Sequence, residues 1–362
     1  LAALTGPMAT SESQAVKAIE LAFNETNYQM AGRQIELIVE DYANDPALCL
    51  TKVQKLVEVD NVDVIIGPYL TSAGLAIRDY IHENRILWIS HICSSPTFIE
   101  EPFYTPYFFR SSYNSGHQGT AVGAYIAYAV KGYRSAVCMA MDYKAGRDEV
   151  AGFKEVFEGL GGTVIQEIYT PIETQDYGPY MAMIDVGNAD FVWSWHYAGD
   201  AIRLVKALDD YGIKDQLPLF FSEATCASPW LAQMGDSALG IESVSHYTEA
   251  LNTTENRQFV QALWDNYQVK ATLPSEHAYV AARMAILALE AVNGDVEDVD
   301  GMITFLENLE FDAPRGAIKF ESHSPIQNVY LLRVERVDGE LQNTVMETYP
   351  EIGPYWLPEE LR

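Results

Sequence analysis

Two short runs in this chain are rich in hydroxyls and stand where a strand pattern gives way to a helical one. Val64-Ile65-Ile66-Gly67-Pro68 leads into Tyr69, Leu70, Thr71 and Ser72, and Leu87-Trp88-Ile89-Ser90 leads into Cys93, Ser94, Ser95 and Pro96. A helix N-terminus offers unpaired amide N–H groups and the positive end of a dipole, which together hold a carboxylate. Thr71 and Ser72 are expected to cap a helix over 73–83, and Ser94 and Ser95 a second helix with Pro96 at its first position. Two such starts on adjacent strands make an anion cradle. Further along, Val192-Trp193-Ser194-Trp195 runs into His196 and Tyr197, and Leu219-Phe220-Phe221-Ser222 runs into Glu223. A carboxylate at a strand end can pair with an ammonium group, or be an ordinary loop acid facing solvent. Tyr69, Tyr113, Tyr143, Trp195 and Tyr197 lie near these ends and either line a pocket or belong to the core.

Groups for covalent or redox chemistry are missing from the pattern. There is no GxSxG, HExxH, Walker loop or dinucleotide fingerprint. Gly159-Leu160-Gly161-Gly162 follows a helical stretch and precedes a strand-like one, the reverse of a phosphate loop, so it reads as a helix end and turn. The seven histidines show no metal-ligand spacing, and neither metal nor cofactor is expected. Cys49, Cys93, Cys138 and Cys226 are scattered. Cys138 lies in the apolar run 136–140 and reads as a buried free thiol, while the redox state of the set stays open.

The elements that must position these residues alternate regularly. Apolar runs at 35–40, 62–67, 86–90, 135–141, 190–195 and 218–222 read as strands separated by helical patterns, the rhythm of βαβ units and parallel sheets. Ala15, Val16, Ile19, Ala22 and Phe23 share one face of a helix over 11–27, with Ser11 and Gln14 spaced as a capping box. Asp45-Pro46 starts the next helix, with Leu50, Val53, Leu56 and Val57 inward. In doubly wound sheets ligands bind outside the carboxyl ends of strands, which singles out the hydroxyl runs and Glu223. The expected plan is two similar α/β lobes. Residues 1–113 with 247–324 form one, including helices over 255–268 and 275–293. Residues 114–246 with 325–362 form the other, including a closing hairpin around 329–334 with the turn Asp338-Gly339.

Length and composition fit that plan. The 362 residues are comfortable for two domains, with 48% hydrophobic and 20% charged residues as in globular proteins. The net charge of -28 reflects scarce Lys and Arg, and its field disfavours nucleic acid or an anionic membrane surface as a partner. No apolar run is long enough to span a bilayer, so no direct membrane insertion is expected. Leu1-Ala2-Ala3-Leu4-Thr5-Gly6-Pro7 reads as the tail of a strand entering a turn, with a leader and the start of that strand expected ahead of it.

The order and spacing of several motifs together resemble the type I periplasmic binding proteins, and within them the leucine/isoleucine/valine-binding group. They are Leu4-Thr5-Gly6-Pro7-Met8-Ala9, Ile65-Ile66-Gly67-Pro68, Ile89-Ser90 leading to Ser94-Ser95-Pro96, Gln175-Asp176-Tyr177, and Arg315-Gly316-Ala317-Ile318-Lys319-Phe320. The resemblance covers essentially the whole chain. It implies two Rossmann-like lobes joined by three crossovers and closing about a hinge on a ligand held between them. It further implies that Thr71 and Ser94 bind a ligand carboxylate, that the Cys93 carbonyl accepts from its ammonium, and that Tyr197 and Glu223 cover the ligand, with Glu223 pairing to the ammonium. Where the branched-chain binders carry an aromatic after Asp142, this chain has Ala145, and Asn44 and Leu70 replace a disulfide of the best-known members. Aromatic or polar ligands therefore stay open.

Three functions are weighed on this basis. The first is a periplasmic or extracellular solute-binding protein, lipid-anchored or free, that binds a small amino acid or related amphipathic carboxylate and delivers it to an ABC permease. The second is a sensor or regulator of the same fold. The third is an enzyme, disfavoured by the absence of a nucleophile and base constellation.

Overall fold

The computed structural model describes residues 1–362. The chain divides into two units: Leu1–Asn114 with Asn252–Gln327, and Ser115–Leu251 with Asn328–Arg362, so it crosses from one to the other three times.

The first unit is built on a parallel sheet of Val64–Ile66, Leu87–Ser90 and Phe108–Arg110, with Ile65 opposite Trp88 and Trp88 opposite Phe108. All three strands are rich in β-branched or aromatic residues, which suit a sheet covered on both faces. Helices Ala9–Glu25, Pro46–Glu58, Thr71–Asn84 and Leu273–Ala291 supply the cover, through buried Val53, Leu56, Ile77, Ile81 and Met284 around Trp88 and Phe108. Asp45 caps its helix as expected, accepting from Ala47 N at 2.8 Å and Leu48 N at 3.2 Å.

Two expectations for this unit differ from what forms. Helix Ala9–Glu25 begins ahead of Ser11, on Met8, with no side-chain cap; the Gly6 carbonyl accepts from Ala9 N instead, and Ser11 is buried in the first turn. The segment 35–40 carries no strand ladder. Its ends are tied, by Ile35 N to Tyr28 O at 2.8 Å and Ala2 N to Glu40 O at 3.0 Å, but an apolar run without a hydrogen-bonding neighbour along its length is not a strand.

The second unit holds a longer parallel sheet in the order Thr163–Thr170, Ser135–Met141, Phe191–Trp195, Leu219–Phe221, Glu242–Ser245. The strand Ser324–Val337 then pairs antiparallel to Glu242–Ser245, and Glu340–Ile352 follows it through Asp338-Gly339. Both turn residues have positive φ, 50° and 88°, the left-handed conformation that tight hairpins require. Strand residues alternate between two cores. Val137, Met139 and Val192 face helix Ala198–Asp210, while Cys138, Ala140, Phe191 and Trp193 face helices Gln118–Tyr125 and Lys144–Gly159. All four cysteines are free and buried.

Candidate functional site

At the carboxyl ends of the first unit's strands, two loops are stitched together from beneath. Ser90 Oγ donates to Pro68 O at 3.0 Å and accepts from Cys93 N at 2.9 Å. Burial pushes the Cys93 thiol up to about 12, so it stays protonated and donates toward Pro68 O and Leu70 O, each 3.4 Å away. Tyr42 Oη accepts from Tyr69 N and Leu70 N at 3.3 Å. Gly74 permits this packing, since a Cβ there would lie 2.8 Å from Cys93 Sγ.

The result places Thr71, half-buried, as the first residue of helix Thr71–Asn84, with Leu70 at the cap position and no side-chain cap. Thr71 and Ser72 therefore do not cap the helix. A threonine already in helical conformation directs its hydroxyl away from the N–H groups it would have to accept from, and the first-turn amides remain available. The second expected helix start is only a 3₁₀ turn, Pro96–Ile99, capped by Ser95. One helix terminus, and not two, supplies a dipole; Ser94 stands half-buried just ahead of the turn.

Arg110 is the element that sequence reasoning missed here. Fully buried at the end of Phe108–Arg110, it donates to Ser95 O at 3.0 Å, Cys93 O at 3.4 Å, Asn114 Oδ1 at 3.2 Å and Ser324 Oγ at 2.7 Å. It thus holds the Ser94 loop from below and ties it to residues beside two of the three chain crossings. The available signal was a cation closing the apolar run Tyr107-Phe108-Phe109. Nearby, Arg315 pairs with Glu276 at 2.6 Å, both fully buried, and also donates to Ser111 O.

In the second unit, Trp195 ends its strand buried, and its indole Nε1 has no hydrogen-bond partner. Its ring lies 5.6 Å from that of Tyr143, which is partly exposed at the cap position of helix Lys144–Gly159. Burial raises the Tyr143 phenol, with Tyr197 and Glu149 adding to the effect. Tyr197 precedes helix Ala198–Asp210 and meets Trp230 edge-on at 5.2 Å. His196 faces inward, bonded to Thr170 Oγ1 at 3.0 Å and Ser194 Oγ at 2.9 Å; burial lowers it to about 3, so it is neutral and structural.

Glu223 is 6% exposed, which rules out a solvent-facing loop acid. It has a buried companion that the sequence reading passed over. Glu149 accepts from Thr120 Oγ1, and burial first, then the charge of Glu223, raise it to about 8. Its signal was an acid on the same helix face as Val150, Phe153, Val156 and Phe157.

None of these residues lines the cavity of about 310 Å³ in the first unit. Its walls include Ala15, Ile19, Ile38, Val64 and Leu289, with the Glu12–His91 pair (2.8 Å) at one side. Its lining also carries Arg33, Gln34, Glu36, Asp60, Asn61 and Asp63, so polar and apolar groups share it.

A family model described as periplasmic binding protein matches residues 1–340. The chain belongs to that family. This periplasmic binding protein is similar to an ABC transporter substrate-binding protein from Sphaerobacter thermophilus, with 33% identity, 98% of this chain and 97% of that one covered, and a TM-score of 0.94. A solute-binding protein of an R. palustris ABC transporter, solved with 4-hydroxybenzoate, is 28% identical with a TM-score of 0.90 over 98% and 96% of the two chains. The Leu/Ile/Val-binding protein homolog 6 of Brucella melitensis is 26% identical over 357 residues, 96% of this chain and 90% of its own. The fold is that of type I periplasmic binding proteins, which are solute-binding transport proteins with a small-molecule ligand and a membrane permease partner. No helix is long and apolar enough to cross a membrane.

Proposed function

We propose that this chain is the extracytoplasmic solute-binding component of an ABC importer, that it works in the periplasm or at the cell exterior, and that it binds an α-amino acid reversibly without transforming it. The first-turn amides and hydroxyl of Thr71, with Ser94, take the ligand carboxylate; Glu223 takes its ammonium; Tyr197, Tyr143 and Trp195 enclose its side chain. Tyr69, Ser72 and the carbonyl of Cys93 complete the polar contacts. The observation that supports this reading is the place of the buried Glu223 just past a strand's carboxyl end, the side of a doubly wound sheet on which ligands bind.

The test is calorimetry on the full chain with a panel of amino acids, their deaminated analogues and hydroxybenzoates. Amino acids are expected to bind and the deaminated acids to fail. Glu223→Gln is expected to cost on the order of 2–5 kcal/mol in affinity. Equal binding of acids without an amino group, or a variant with wild-type affinity, refutes the assignment.

A second reading is favoured by specific observations. By the resemblance read from the sequence Ala145 stands where the branched-chain binders place an aromatic, the rings of Tyr143 and Trp195 lie 5.6 Å apart, and the R. palustris relative was solved with 4-hydroxybenzoate. An aromatic carboxylate would then stack on these rings and donate its hydroxyl to Glu223.

A further inference from the structure

The first unit carries two backbone edges that border one space with no ladder between them. Val64–Ile66 is the outer strand of its sheet, laddered only with Leu87–Ser90. Across the space, residues 36–39 make no backbone hydrogen bond. Leu1 and Ala2 join the two edges at one end. Leu1 N donates to Ile66 O at 2.9 Å. Ala2 N donates to Glu40 O and Tyr42 N to Ala2 O, each at 3.0 Å, the repeat of a parallel ladder with Ala2 opposite Asp41. The fit is close enough to require glycine at position 67, where a Cβ would lie 2.2 Å from Leu1 O.

The cavity of about 310 Å³ continues from that junction between the same two edges. One wall is 34–39 and the other 61–66, with Ile19, Leu56 and Leu289 reaching it from three helices. Folded interiors hold few voids larger than a water molecule, so a space of this size is out of keeping with a closed core. The exposure of its lining points the same way. Arg33, Glu36, Asn61 and Asp63 are exposed and form the mouth, while the apolar Leu37, Ile38, Val64 and Ile66 are only half-buried. In a parallel sheet covered by helices such residues are buried by a neighbouring strand.

The contacts already made fix the register, since bonding groups in a parallel ladder recur every second residue. The bonds of Ala2 turn the N–H groups of Glu40 and Ile38, and the carbonyls of Ile38 and Glu36, toward the slot. On the other edge Gly67 N donates to Ile89 O, so the alternate residues Ile66 and Val64 turn their N–H groups away from Leu87–Ser90 and into the slot. About four residues ahead of Leu1, continued in this register, meet all of these groups.

We propose that the slot is the seat of a parallel β-strand formed by the residues of this protein that run into Leu1, so that the cavity holds chain and not a small molecule. Leu1 and Ala2 already stand in the ladder and point into the slot. A segment tethered to them enters at high effective concentration, whereas a separate peptide would have to stop against Leu1. Seated there, the strand holds Val64–Ile66 from its second side, and with it the loop that leads to Thr71.

N-terminal sequencing of the mature protein from its own cells is expected to find at least about four residues ahead of Leu1. A mature chain that begins at Leu1 overturns the proposal. Hydrogen exchange tests the seat itself. In the 362-residue chain the amides of Ile38, Glu40, Val64 and Ile66 are expected to exchange as open backbone. With about five residues of alternating Val and Thr placed ahead of Leu1, these amides should slow by about tenfold or more and the thermal midpoint should rise by about 5 °C or more. A Gly-Ser extension of equal length should do neither. If the Val-Thr extension leaves the amides unprotected, no strand is seated there. If the same residues added as a free equimolar peptide protect them equally well, the slot is a groove for a separate chain and its assignment to this one is wrong.

Discussion

Replacing Arg110 tests whether the loop around Ser94, proposed above to meet the ligand, is held from below. The guanidinium is fully buried and makes three good hydrogen bonds, to Ser324 Oγ, Ser95 O and Asn114 Oδ1, with a longer one to Cys93 O. Arg110→Ala leaves these buried acceptors without their donor. At about 1–3 kcal/mol for each unsatisfied group, the three good contacts alone amount to roughly 3–9 kcal/mol. Arg110→Lys keeps the charge, but a single ammonium cannot reach a fork of acceptors on three separate segments; a loss of about 2–4 kcal/mol is expected. The assay is urea unfolding followed by calorimetry on the folded Arg110→Lys protein. Destabilisation alone would leave the affinity of the folded form unchanged. Positioning of Ser94 predicts about tenfold weaker binding, or ~1.4 kcal/mol, expressed in faster release of ligand. If Arg110→Lys stays within about 0.5 kcal/mol of wild type in both stability and affinity, the guanidinium does not hold the loop.

Other expectations follow from packing and ionisation. Gly152→Ala would place a methyl group 1.7 Å from Gly116 O, so helix Lys144–Gly159 must move off the segment that donates to Glu149; a loss of about 3 kcal/mol or more by thermal unfolding is expected, with weaker ligand binding. Because Glu149 is raised above its unfolded value, the folded state binds the extra proton. Its contribution is full below about pH 4.5 and is lost as pH rises toward 8, at up to ~1.4 kcal/mol per unit. Glu149→Gln should flatten the decline of unfolding free energy across that window, and an unchanged slope would contradict the assignment. Arg315→Met leaves Glu276 as a buried acid without its 2.6 Å partner and is expected to cost about 3–5 kcal/mol by urea unfolding, much of it recovered in the double variant with Glu276→Gln.

The sheet strands were legible because their apolar runs end in residues that cannot continue a strand, as at Gly67-Pro68 or Asp338-Gly339. The helix starts were less so. Serine and threonine accept from a helix N-terminus only when they stand just outside it, and sequence spacing does not say whether Thr71 is the cap or the first helical residue. Ser95-Pro96 carries the same ambiguity, and the short 3₁₀ turn that forms is set by Phe98, which packs on Trp88 at 5.6 Å and Phe108 at 4.9 Å. Residues 35–40 show that an apolar run is not enough for a strand: none of them is fully buried, and a strand also needs a neighbour with free N–H and C=O groups. Arg110 and Glu149 escaped notice for a common reason. Each is charged yet buried, and its role depends on partners distant in sequence: Ser324 lies 214 residues after Arg110, and Thr120 lies 29 residues before Glu149.

The threefold crossing of the chain has a consequence for its synthesis. Helix Ala9–Glu25 packs on Leu273–Ala291, and Tyr279 bonds Glu25 across 254 residues. At ~5–20 residues per second, the first helix waits roughly 10–50 s for its partner to leave the ribosome. During that time its apolar stripe of Ala15, Ile19, Ala22 and Phe23 lacks the cover of that later helix and stays open to a holding chaperone.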